Sequence, residues 1–334
     1  MHARSIFPTC WRSSVLALLV LIPANCSAKP TFDVGDRNSP LRLVRTIPLP
    51  NVQGRIDHMA LDSKSHHLFV AELVNSSVDE VDLTSGTVVG RIAGLREPQG
   101  VAWLPAEDEV AVACGDGTVR FYSVSDRREL AKVTLGDDAD NVRVDRRNGN
   151  LVVGFGRGAL AVIDASTRRV IREFKLPGHP EAFEILGSHV FVNVPSAHAI
   201  VLGDLDAGKV TNTISTGGRF GNYPMASDSA QSSLAVAFRL PSSLSLLDAA
   251  TARTLFSASL CGDADDLYFR SDRVVVICGS GAVQLVNVQG ARPSVSVATP
   301  RGTRTGLFDA AADRLFVAVP AGTAPAEIWE LSFR

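Results

Sequence analysis

Long helices are missing from this 334-residue chain: no apolar pattern of period 3.6 lasts longer than about two turns. The longest apolar run, residues 15–22, falls well short of the roughly 20 residues that cross a bilayer, so no membrane span is expected. An excess of basic charge is missing too. The 33 Lys and Arg face 35 Asp and Glu, and no dense basic stretch occurs, which sets nucleic acid aside as a partner. Cysteine is scarce, with five residues and neither a Cys-x-x-Cys pair nor a Cys-x-x-Cys-His motif, which excludes a covalent haem or a zinc ribbon. Gly-x-Ser-x-Gly is absent, which removes the usual α/β-hydrolase nucleophile.

What remains is a set of short runs of period 2, bounded by Gly, Pro, Asp and Ser, in a chain that is 46% apolar. That is an all-β signature. One phrase orders the runs: Asp138-Ala139-Asp140-Asn141-Val142 recurs as Asp263-Ala264-Asp265-Asp266-Leu267, 125 residues later. Equivalent stretches begin at His58, Gly100, Asn141, Glu181, Pro224, Asp266 and Thr305, at intervals of 42, 41, 40, 43, 42 and 39 residues. Such a period belongs to four-stranded propeller blades. The expected fold is a seven-bladed β-propeller. Its seventh repeat lacks a fourth strand, and residues 41–49 are the natural donor, closing the ring and removing two open sheet edges. Residues 41–334 therefore read as one domain.

Ahead of it, His2, Arg4 and Arg12 precede the apolar run, and Cys26-Ser27-Ala28 offers small residues for a cut. Residues 1–28 read as a secretory signal peptide, implying a periplasmic or secreted protein. Residues 29–40, polar and carrying Pro30, Gly35 and Pro40, read as a flexible lead-in. Beyond residue 28, 31 basic residues stand against 35 acidic ones.

The strands Leu68-Phe69-Val70-Ala71, Val190-Phe191-Val192-Asn193 and Leu315-Phe316-Val317-Ala318 resemble the Tyr-Val-Thr-Asn strand of YVTN-type β-propeller repeats. The phrases Arg55-Ile56-Asp57-His58-Met59-Ala60, Glu97-Pro98-Gln99-Gly100-Val101 and Gly178-His179-Pro180-Glu181 resemble those of secreted bacterial YncE-like proteins. The resemblance covers nearly all of residues 41–334 and implies a secreted propeller without a well-defined group activity. The Trp-Asp strand ends of WD40 blades are absent; third strands close instead on Val81-Asp82, Ile163-Asp164 or Leu247-Asp248.

In a propeller, the loops that start the inner strands converge on one mouth of the channel. This topology gathers Arg55, Asp57, His58, Asp138, Asp140, Asn141, His179, Glu181, Asn222, Asp265, Asp266 and Arg304 as the expected ligand-binding set. An Asp or Asn ahead of a strand also serves local turns, accepting backbone N–H groups without any ligand. A channel plugged only for structure would, however, use apolar side chains in place of so many desolvated charges. Acids beside arginines in the arc from blade six to blade one favour a small polar or anionic ligand, with a protein partner as the alternative. No metal or other cofactor is expected, although the two acidic clusters keep a Ca²⁺-like ion in view. His179 and Glu181 are the acid–base candidates of an alternative, lactonase-like hydrolase, which rests on fold analogy. Non-catalytic binding is the first reading. Cys261 and Cys278 fall on the same face of blade six; a disulfide requires the connecting loop to double back, and the pairing stays open at this level. Oligomeric state is left open.

Overall fold

The computed structural model describes residues 31–289 and 294–334. Residues 1–28, read as a signal peptide, lie outside them. Strands form seven antiparallel sheets in a ring, each ordered from an inner to an outer strand. The inner strands are Met59–Asp62, Pro98–Leu104, Ala139–Val144, Phe183–Leu186, Phe220–Ser227, Ala264–Arg270 and Thr305–Asp309, for blades one to seven. This is the seven-bladed propeller expected from the repeat interval.

The burial pattern explains why the blades stand side by side. Second strands such as Leu151–Phe155 and third strands such as Ser77–Asp82 are buried along nearly their whole length. They are covered on both faces by neighbouring blades, so Leu151–Phe155 reads as a continuous apolar run, while Ser77–Asp82 buries Asp79 and Glu80 against Arg91 and Arg127. Outer strands such as Arg169–Lys175 are largely exposed. The core is accordingly divided into seven layers, one between each pair of adjacent blades. The third strands of blades one, three and five end in an aspartate that caps the next turn: Asp82 accepts the Thr84 N–H at 2.7 Å, Asp164 that of Thr167 at 2.7 Å, and Asp248 that of Thr251 at 2.8 Å. The repeated Val-Asp and Ile-Asp endings are thus local turn devices.

Leu41–Pro48 pairs antiparallel with Glu327–Phe333, with Leu41 opposite Phe333 and Pro48 opposite Glu327. The chain's first long strand is therefore the outer strand of its last blade. Within the stretch read as a flexible lead-in, Thr31–Phe32 lies parallel to Val295–Ala298, extending blade six to a fifth strand. The outer edge of blade six has free ladder groups, and two residues of preceding chain satisfy some of them. No helix among the described residues is long and apolar enough to cross a membrane.

Closure has a measurable consequence. Leu41, Ile47 and Leu49 are fully buried, and each such side chain contributes about 1.5–3 kcal/mol. A chain that starts at residue 29 and lacks residues 41–49 is expected to melt roughly 10 °C or more lower, or to aggregate, in thermal denaturation followed by circular dichroism. An unchanged melt excludes closure by this strand.

Candidate functional site

The repeated acidic phrase is a backbone device before it is a site. Glu97, Asp138 and Asp263, each just ahead of an inner strand, have left-handed backbones with φ of 50°, 42° and 59°. Their carbonyls accept the N–H of the glycine that follows the second strand: Gly115 at 2.9 Å, Gly156 at 2.9 Å and Gly279 at 2.8 Å. A Cβ at Gly279 would stand 2.2 Å from Asp263 Oδ2, so no larger residue fits there without displacing that carboxylate. The ladder then shifts by a β-bulge between Ala139 and Val142 in blade three, and between Ala264 and Asp266 in blade six. Bulges re-aim side chains. Here they leave Asp140 and Asp265 facing the channel.

The upper mouth, where the inner strands start, narrows to a cavity of about 40 Å³. Arg55, Asp57, His58, Asp140, Asn141, Glu181, Asp265 and Asp266 line it, together with Ala182, Tyr223 and Thr305. Blades far apart in sequence meet here. Asp140 stands 4.0 Å from His58 Nε2 and 3.6 Å from His179 Nε2. Arg55 contacts both oxygens of Asp57, at 3.2 and 3.1 Å, and feels the charges of Asp265 and Asp140 as well. Asn141 Oδ1 is buried and accepts no hydrogen bond from any described residue.

Four expected residues stand outside this cavity. Arg304 turns to Asp263, bonding it at 2.8 Å, and its Nε is 4.0 Å from Asp265. Asp138 accepts the Gln99 side-chain amide at 3.0 Å. Asn222 is a buried structural amide that donates to Asn193 Oδ1 and the Ala199 carbonyl, both at 3.0 Å. His179 stands behind Asp140 and braces it. The arc of blades six, seven and one thus lines the cavity through Asp265, Asp266, Arg55, Asp57 and His58, without Arg304, and Asp140 and Glu181 from blades three and four complete the ring. Arg239, a rim residue by its position in sequence, stands near the end of the second strand of blade five; it bonds Asp265, lies 3.0 Å from Asp263 and stacks 4.1 Å over the Tyr223 ring.

Protonation follows from these contacts. His179 Nδ1 is 2.6 Å from the Gly156 carbonyl oxygen, and Nε2 faces the Asp140 carboxylate. The Gly156 carbonyl cannot donate, so Nδ1 carries a proton, and the Asp140 carboxylate favours a second one on Nε2. The Asp140 carboxylate and the Gly156 carbonyl outweigh burial and raise its pKa to about 9. Burial alone would raise Asp140, but His179, His58 and Arg55 together bring it below the usual carboxylate value. Burial pushes Glu181 up to about 7, with Asp140 adding repulsion. It also lifts Asp266 to about 7, against the His58 charge and the 2.9 Å bond from the Gly306 N–H. Arg239 and Arg304 are held by Asp263 and Asp265, and Arg55 by Asp57. The arginines are therefore spoken for, and carboxylates outnumber cations around the cavity.

Cys261 and Cys278 are joined in a disulfide with their Cα atoms 6.0 Å apart. Counting along a flat ladder puts Asp265 opposite Cys278 and leaves Cys261 too far away. The bulge instead places Ala264 opposite Cys278, and the loop folds back so that Cys261 N–H donates to Gln284 Oε1 at 2.7 Å. Cys114 is free and buried. Glu72, a rim residue by its position in sequence, is fully buried and accepts the Ser77 hydroxyl at 2.6 Å. Among the described residues no group of three or more His, Cys, Asp or Glu side chains is placed to hold a metal ion. No protein-family model matches the chain, and no curated protein matches it.

The titrations set the sign of a pH dependence. Glu181, Asp266 and His179 all hold their protons more tightly folded than unfolded. The two acids' contribution is complete below their unfolded values of 4.5 and 3.8 and is lost as pH rises through about 7. That of His179 is complete below 6.5 and is lost through about 9. Stability is thus expected to fall between pH 6 and pH 9. Glu181→Gln should flatten part of that slope and melt roughly 2–4 °C above the unmodified protein at pH 8. A melting temperature that rises across this window contradicts the assignment.

Proposed function

We propose that this chain is a secreted or periplasmic binding propeller of the YVTN, YncE-like type, whose upper mouth captures the cationic tip of a small amine or guanidine. The observation that carries the reading is the surplus of carboxylates around a cavity of about 40 Å³ whose arginines are already paired. An ammonium or guanidinium group offers several donors and a positive charge, matching Asp140, Glu181, Asp266 and the unpartnered Asn141 Oδ1. The cavity is far below the roughly 300 Å³ at which pockets enclose whole ligands, so a tip enters and the remainder stays on the propeller face. Secretion is supported by the composition of residues 1–28 and by the Cys261–Cys278 disulfide, a bond that persists in oxidising compartments.

The hydrolase alternative draws on Glu181, whose pKa near 7 suits acid–base work. Against it, His179 has Nδ1 committed to the Gly156 carbonyl and a pKa raised to about 9, so near neutral pH it keeps its proton and does not suit a general base. A lactone ring also has no room beside Glu181 unless the mouth rearranges.

Agmatine, which carries an amine and a guanidine, is the probe. It should raise the melting temperature at pH 8, do so less at pH 5.5 where Glu181 and Asp266 are protonated, and lose about tenfold in affinity for Glu181→Gln by calorimetry. Equal binding to Glu181→Gln, or none to the unmodified protein, rejects the reading. Turnover of a lactone panel that disappears in Glu181→Gln replaces it with the hydrolase.

A further inference from the structure

The lower mouth, where the inner strands end, is the wider of the two. It opens into a cavity of about 1000 Å³ bounded by blades three to seven. That volume is at the top of the range of about 300–1000 Å³ for small-molecule sites.

Four arginines and four acids line it, but they pair unevenly. Arg147 is held by Asp145 at 2.8 Å and by Asp206 at 2.9 Å. Arg270 is clamped to Asp313 by two bonds of 2.6 and 2.7 Å. Asp228 is occupied by Ser232 and Ser233. Glu184 accepts the Ser227 hydroxyl at 2.7 Å and, although it feels both Arg143 and Arg146, forms an ion pair with neither. Arg143 is half-buried; among the described residues its side chain donates one hydrogen bond, to the Val142 carbonyl at 3.0 Å, and its guanidinium stands 5.7 Å from the centre of the Phe183 ring. Arg146 makes no hydrogen bond or ion pair with any described residue and is exposed on the rim. The walls also carry the half-buried rings of Tyr268, Phe269 and Phe308.

A guanidinium drawn partly out of water keeps its charge and is satisfied best by a planar anion gripped through two N–H groups. The aromatic walls add apolar area for the body of such a ligand. We propose that the lower mouth is a second binding site, for an organic carboxylate with an aromatic or apolar body: Arg143 and Arg146 hold the carboxylate, and Tyr268, Phe269 and Phe308 cover the body. The two ends of the channel then select opposite charges. Nothing in this assignment depends on what the upper mouth binds.

The probe is 2-naphthoate, with uncharged 2-naphthamide as its control, both followed by calorimetry on the full mature chain. Naphthoate should bind, and naphthamide should bind at least about tenfold more weakly, the loss expected for one charge-assisted contact. Arg143→Gln should weaken naphthoate by about tenfold or more with an unchanged circular dichroism spectrum. Should that variant fold poorly, Arg146→Gln, exposed and unpartnered, is expected to fold normally and weaken naphthoate by about threefold. The proposal is overturned if naphthoate does not bind at millimolar concentration, if naphthamide binds as well, or if naphthoate binds well-folded variants as tightly as the unmodified protein.

Discussion

The ring depends on one strand pairing. Leu41–Pro48 hydrogen bonds along Glu327–Phe333, so the two ends of the propeller meet inside a single sheet. Until that pairing forms, blades one and seven cannot hold the layer of Ile47, Leu49, Leu68 and Phe316 between them, and the inner strands have no reason to face a common axis. Both channel mouths are consequences of closure. The polar side chains that meet at the upper mouth do not drive that closure, and Glu181 and Asp266 weaken the fold as they ionise.

Within the ring, charge is segregated along the channel. At the upper mouth, two bulges and two left-handed residues bring aspartates inward, and arginines from neighbouring blades neutralise some of them. Asp140 is secured by an imidazolium, Asp265 by Arg239, and Asp57 by Arg55. Glu181 and Asp266 have no comparable partner, and burial raises both to about 7. At the lower mouth acids and arginines are equal in number, but Arg147 and Arg270 form ion pairs while Arg143 and Arg146 do not. Arg143 lies between the two ends, close enough to act on Asp266 above and on Glu184 beside it. A common low-dielectric channel links the titrations of its walls.

Much of the architecture was legible in the sequence because hydrogen-bonded ladders impose a length. Four strands and their turns need close to the same number of residues in every blade, so the repeat interval alone gave the blade count and the missing outer strand. The acidic phrase was legible for a related reason: a left-handed residue, a glycine across the ladder and a bulge tolerate few residue types. Part of the upper mouth followed from topology, since loops that start inner strands must converge. The sequence could not reveal which way each side chain turns after the bulge. Hence Arg304 belongs to Asp263 and Asn222 to Asn193, whereas Asp140 and Glu181 face Arg55 across the channel.

By itself, then, the sequence determined an all-β ring of seven blades, the strand that closes it, and the loops that reach its upper mouth. These rest on periodicity and on backbone geometry, which are written locally along the chain. Only the tertiary structure decided the protonation of His179, the joining of Cys261 to Cys278, and the partners of the arginines. Each depends on a carbonyl, a register shift or a carboxylate supplied by a distant segment. The lower mouth belongs to this second class. Nothing along the chain marks Arg143 and Arg146 near the end of an inner strand, and what sets them apart is the ion-pair partner they do not find once the blades are assembled.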